Sequence, residues 1–174
     1  MKSKIVKPIG FGLLILIGIA VLARILYLIS GIPLKIDKEF SAVQFRMDDE
    51  TTVENTTITI KGKYYKQWFS SPKFEGSFII DNYDSTKYSN TSYISFIDKD
   101  DRRSIGYLNN FIFSEGTFQP TLNGVFRMTD NFVNISINLF EPIYGDSKTV
   151  KDLWIVAPAS SREEALILLK DLQD

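Results

Sequence analysis

Phe132-Val133-Asn134-Ile135-Ser136-Ile137-Asn138-Leu139-Phe140 reads as one β-strand. Val133, Ile135, Ile137 and Leu139 alternate with Asn134, Ser136 and Asn138, and a period of two sorts them onto opposite faces of a pleated chain. One face is expected to be apolar and the other wet. The same alternation continues outward from this stretch. Val43, Phe45 and Met47 repeat at every second position, as do the isoleucines of Thr57-Ile58-Thr59-Ile60. Ser77-Phe78-Ile79-Ile80 and Tyr93-Ile94-Ser95-Phe96-Ile97 add aromatic and β-branched residues, which suit a half-buried sheet. Asn123-Gly124, between Phe118–Leu122 and Val125–Met128, predicts a tight hairpin, because a type I′ turn needs positive φ at both central positions. Asp81–Ser85 and Asp98–Arg103 read as polar turns. Leu153–Ala157 is a continuous apolar run suited to a strand buried on both faces.

Beyond Ala157 the period changes. Ser160 or Ser161 is placed to cap a helix, with Glu163 or Glu164 completing a capping box. Ala165, Leu168, Leu169 and Leu172 follow at helical spacing, and Leu166 and Ile167 widen the apolar face. A helix over 161–173 is expected to lie as a lid on one face or edge of the sheet. Many short strands with one terminal helix predict a mainly β fold: an antiparallel β-sandwich or partly open barrel with a C-terminal α-helix.

The opposite end of the chain is of another kind. From Pro8 to Ala23 it reads PIGFGLLILIGIAVLA, without a charge, and after Arg24 apolar residues resume as ILYLISGIPL. With Ile25–Ile29 included, the stretch reaches the ~20 residues that a membrane-spanning helix needs. Arg24 would then snorkel to the headgroups near one end, with Tyr27 at the same depth. Lys2, Lys4 and Lys7 precede the segment, so the positive-inside tendency puts the N-terminus in the cytoplasm. The expected organisation is a cytoplasmic basic tail over 1–7, a transmembrane helix and exit over 8–34, and an extracytoplasmic β-rich domain over 35–174. Lys35–Glu39 serve as a short polar neck. Cleavage as a signal peptide after Ala23 is the alternative; the apolar residues beyond it, and Arg24 as first residue of the product, weigh against it.

Composition limits the chemistry. The chain has no Cys and no His. That removes disulfides, zinc thiolate sites, thiol nucleophiles and the Ser-His-Asp arrangement. Residues 35–174 hold 16 basic and 21 acidic residues, an excess of five negative charges that opposes nucleic-acid binding. Lys far outnumbers Arg, and abundant Ile and Asn fit an A+T-rich genome; with the expected topology this points to the envelope of a Gram-positive bacterium.

Few motifs stand out. Asp98-Lys99-Asp100-Asp101-Arg102-Arg103 departs from a calcium loop, since arginines occupy the ligand and glycine positions. Asp48-Asp49-Glu50 points its carboxylates to alternate faces of an extended chain. Neither a phosphate loop nor a nucleophile elbow is present. Tyr64-Tyr65-Lys66-Gln67-Trp68-Phe69 is the most suggestive stretch, with Tyr64, Tyr65, Trp68 and Phe69 as a candidate binding surface for a sugar or a partner's apolar residue. The competing reading is that alternate members fill the core. No catalytic, cofactor-binding or metal-binding residues are expected. The functional expectation is a membrane-anchored, non-catalytic interaction module whose partner is another envelope protein or a cell-wall glycan. The alternatives are a glycan binder or carbohydrate-active enzyme, and an accessory subunit of a membrane complex.

Overall fold

The computed structural model describes residues 6–30, 33–66, 71–87, 91–97, 103–114, 117–140 and 152–173. Helix α1 (Val6–Ser30) is followed by strands β1 (Leu34–Arg46), β2 (Val53–Tyr65) and β3 (Lys73–Ile80), a one-turn helix α2 (Asp84–Lys87), and strands β4 (Thr91–Phe96), β5 (Arg103–Ser114), β6 (Thr117–Thr129), β7 (Asn134–Leu139) and β8 (Leu153–Ala157). Helix α3 (Arg162–Gln173) ends the described chain. Every strand pairs antiparallel with its neighbours in sequence, and β8 returns to β1, so the sheet closes into an eight-stranded up-and-down barrel. The antiparallel, mainly β expectation holds, but the pairing of β8 with β1 makes the fold a closed barrel and neither a sandwich nor a partly open barrel.

The alternation read from the sequence fills the inside. Ile58, Ile60, Phe78, Ile80, Ile94, Leu108, Phe126, Ile135, Ile137 and Leu139 are all fully buried. An eight-stranded barrel is just wide enough for side chains to fill, and here aromatic rings do so. At the end of the barrel where β1 begins, Phe132 stands on Tyr64, Phe74, Phe96 and Phe126, with ring centroids 5.3–6.3 Å apart. Phe132 belongs to the β6–β7 turn, whose Asp130, Asn131 and Phe132 have φ of 44°, 58° and 65°. Three consecutive left-handed residues swing the ring back into the barrel mouth as a plug.

Glycines stand in the wall where a side chain would collide with the neighbouring strand. Gly62 on β2 lies directly opposite Gly76 on β3. A Cβ added to Gly76 would come within 2.3 Å of the Lys61 carbonyl oxygen and 2.6 Å of the Gly62 Cα. Gly124 plays a similar part and corrects the expected hairpin. Strand β6 runs unbroken through Asn123-Gly124, with Gly124 opposite Leu108 on one side and Leu139 on the other. The glycine is there because a side chain would collide with the Asn138 carbonyl 2.6 Å away.

Helix α3 closes the structure from outside. Ala165 and Leu169 pack on Val43, Phe45, Trp154 and Val156, so all of β8 is buried, as its continuous apolar run implied. The capping is reciprocal: the Glu164 amide donates to Ser161 Oγ, while the Glu164 carboxylate accepts from the Ser160 amide and hydroxyl. Those two bonds hold the Glu164 carboxyl below its usual range. Two further expectations change. The face bearing Ser136 and Asn138 is not wet, because both residues are buried and α3 lies over β7. Lys35–Glu39 are not a neck but the first part of β1, paired with Thr59–Lys63 and holding Ile36 in the core.

In α1 the side chains described run from Gly12 to Leu26, all exposed and, Arg24 apart, all apolar. That stretch spans about 22 Å, against ~30 Å of hydrocarbon. Among the described residues no helix is long and apolar enough to cross a membrane.

Candidate interaction surface

Among the described residues, aromatic and aliphatic side chains pack the interior, and the polar chemistry lies on the barrel's walls and ends. The carboxylates are mostly engaged. Asp49 sits in the β1–β2 turn and accepts from the Thr51 hydroxyl (2.7 Å) and amide (2.9 Å) and from the Thr52 hydroxyl. The hydroxyl of Thr51, then that of Thr52, then the Thr51 amide hold its carboxyl down to about 2. Asp152 pairs with Arg46 at 2.7 Å, and Asp171 with Arg103 at 3.2 Å. A shallow groove of about 430 Å³ beside α3 holds Glu164 and Asp171. Seven residues apart on one helix, they stand ~10 Å apart by the rise alone, wider than the pair that glycoside hydrolysis needs. A second hollow of about 350 Å³, among Ser41, Asn55, Thr57 and Ser160, is lined by neutral groups. Among the described residues no group of three acidic side chains is placed to hold a metal ion.

The aromatic stretch is divided by the strand that carries it. Tyr64 and Tyr65 end β2, and adjacent residues on a strand face opposite ways. Tyr64 turns inward, only 3% exposed, and packs edge-on against Phe96 and Phe132. It belongs to the core and not to a binding surface. Tyr65 stays half-buried on the outer wall, where the Lys73 ammonium lies 5.1 Å from its ring centroid. Trp68 and Phe69 lie outside the described residues, as do Asp98–Arg102.

Around Tyr65 the outer wall is basic. In the register of β1 and β2, Lys35 lies directly opposite Lys63, and both are exposed. Like charges facing each other across a ladder are unfavourable. On its other side Lys63 faces Glu75, but Glu75 is engaged by Lys73 at 2.7 Å. That same bond raises the Lys73 ammonium above its usual value. Asp37 lies 3.9 Å from Lys61. Residues 34–40, 61–66 and 73–76 together hold six lysines and three acids. The exposed Asp130 of the β6–β7 turn lies at the same end, so the local excess is +2 in a domain that is otherwise acidic. The apolar side chains Leu34, Ile97 and Val133 are 47%, 62% and 46% exposed. They share this end of the barrel, because Leu34 pairs with Tyr64, Ile97 follows Phe96, and Val133 follows Phe132.

Sequence reasoning missed this grouping. The lysines are scattered over three strands, and only the register makes neighbours of Lys35 and Lys63. Comparison with known protein families, with curated proteins and with solved structures finds no match.

Proposed function

We propose that this chain is a membrane-anchored, non-catalytic interaction module, with α1 as the anchor and the barrel on the extracytoplasmic side. The observation that carries the reading is the packing of aromatic rings inside the barrel among the described residues. A lipid-binding or substrate-binding barrel of this strand number keeps its interior open, whereas here Phe74, Phe78, Phe96, Phe126 and Phe132 occupy it. Recognition is therefore left to the outside, where lysines, Tyr65 and exposed aliphatic side chains gather at one end. The anchor rests on α1, a 25-residue helix whose described side chains are exposed and almost wholly apolar. Such a surface is stable in lipid and unfavourable in water. Orientation rests on Lys2, Lys4 and Lys7 before the helix. Confinement to a membrane raises the effective concentration of partners there, so a modest surface suffices.

The absence of cysteine makes the test simple. Single variants Ser3→Cys and Lys63→Cys are exposed to a membrane-impermeant maleimide in intact cells. Labelling at position 63 but not at position 3 is the expected result. Labelling of position 3 alone inverts the topology. Labelling of neither site in cells, but of both after lysis, places the barrel inside.

A further inference from the structure

We propose that the basic, tyrosine-bearing end of the barrel docks on the anionic headgroups of the membrane that holds α1. This rests on the anchor reading above and adds a partner for the surface. Four observations converge.

The first is chain length. Ser30 ends α1 and Leu34 begins β1, so the barrel wall starts four residues from the helix, a reach of at most about 14 Å. With so short a tether, the end of the barrel at Leu34, Tyr65, Lys73 and Phe132 stays beside the bilayer. The second is charge. The six lysines on β1, β2 and β3 meet three acids on those strands and Asp130 in the neighbouring turn, a net positive end that attracts an anionic surface. The third is the Lys35–Lys63 pair. Two exposed lysines facing each other in register repel, and a phosphate group between them would relieve that repulsion. The fourth is the company they keep. Leu34, Ile97 and Val133 are exposed at this end, and Tyr65 lies just behind it. Tyrosine suits the interfacial depth, and aliphatic tips add to binding there.

The full-length chain is inserted into vesicles of phosphatidylcholine alone, or of phosphatidylcholine mixed with phosphatidylglycerol. Each vesicle carries a trace of lipid with a nitroxide headgroup that quenches fluorescence. A fluorophore is placed on Ser95→Cys, next to Lys73 in the β3–β4 register, or on Asp48→Cys in the turn at the opposite end of the barrel. In anionic vesicles the label at 95 is expected to be quenched at least about two-fold more than in neutral ones, and high salt should abolish the difference. The label at 48 should not respond. The double variant Lys35→Glu/Lys63→Glu, its folding checked by Trp154 fluorescence, is expected to lose the composition dependence. Equal quenching at 95 in both lipids, or no effect of the charge reversal, overturns the proposal. Extraction of the chain by alkaline carbonate would instead sink the anchor reading. The docking surface is then read from flotation at neutral pH, which must still require phosphatidylglycerol and fail in the double variant.

Discussion

Replacing Phe132 separates two properties of the β6–β7 turn, the plug and the backbone that aims it. The ring is fully buried against four other aromatic rings at 5.3–6.3 Å. Removing such a side chain costs ~3–5 kcal/mol through lost transfer energy and the cavity left behind. Against a total stability of about 5–15 kcal/mol, Phe132→Ala should lower Tm by about 10 °C. Phe132→Gly removes the same ring but responds differently to the backbone. At an ordinary position glycine is worse than alanine by ~0.5–1 kcal/mol, because the unfolded chain gains freedom. At φ 65° the alanine Cβ carries a penalty of about 1–2 kcal/mol that glycine lacks. The order should therefore reverse, with Phe132→Gly at least as stable as Phe132→Ala and better by up to about 1.5 kcal/mol. Guanidinium unfolding of the two variants in the same mild detergent, followed by tryptophan fluorescence, measures both differences. If Phe132→Ala costs under about 1 kcal/mol, the ring is not a plug. If glycine is the less stable by about 1 kcal/mol, the turn is not left-handed.

Three further outcomes follow from the same structure. Leu169 fixes α3 to the outer face of β1 and β8, so Leu169→Ala should cost ~2–4 kcal/mol and shift Trp154 emission to the red; an unmoved spectrum would mean that the helix does not cover that strand. Gly76→Ala should destabilise by more than about 2 kcal/mol, because its Cβ meets backbone that cannot step aside, and a neutral effect in urea unfolding would refute the close approach of β2 and β3. Asp49 should titrate near 2 in a carbon-detected NMR experiment, below its ordinary 3.8. With the folded value the lower one, its contribution is present above pH 3.8 and is lost as pH falls through that value toward 2; titration at the ordinary value would show that the turn's hydroxyls do not bind it.

How far the sequence could be read depended on whether each signal was local. Alternation along β2 and over Ile135–Leu139 of β7 and the apolar run of β8 are local, and so is the Ser161–Glu164 cap; each was legible, whereas Val133, grouped with the apolar face, is exposed just before β7. The Asn123-Gly124 signal was misleading for a physical reason. Glycine serves both a turn and a close strand approach, and only the neighbours on β5 and β7 distinguish the two. Lys35–Glu39 looked like a neck because four of five residues are charged, with Ile36 absent from no pattern that a short window would favour. Ser136 and Asn138 looked wet because their cover arrives with α3, some 25–35 residues later. The candidate site was legible in part. Tyr65 keeps a place on the outer wall, but Tyr64 was grouped with it although strand geometry sends the two to opposite faces. The facing lysines are a product of register, which no single segment encodes.

The closing seam carries a consequence for the order in which the barrel can form. Seven of its eight strand pairings join strands that are consecutive along the chain, so each hairpin can assemble soon after it is made. The eighth joins β1 to β8 through four pairs, Val43–Arg46 with Leu153–Val156, across more than a hundred residues. Beyond them Leu34–Ala42 extend past β8, and the gap is bridged by a bond from the Ala159 amide to the Ser41 carbonyl and by Lys38, whose ammonium donates to the carbonyls of Asn131 and Phe132 at 3.1 and 2.8 Å. During synthesis β1 therefore waits with an open edge until β8 has emerged. Lys35, Asp37 and Glu39 along that edge are the charges that keep a waiting strand from pairing with a neighbouring nascent chain.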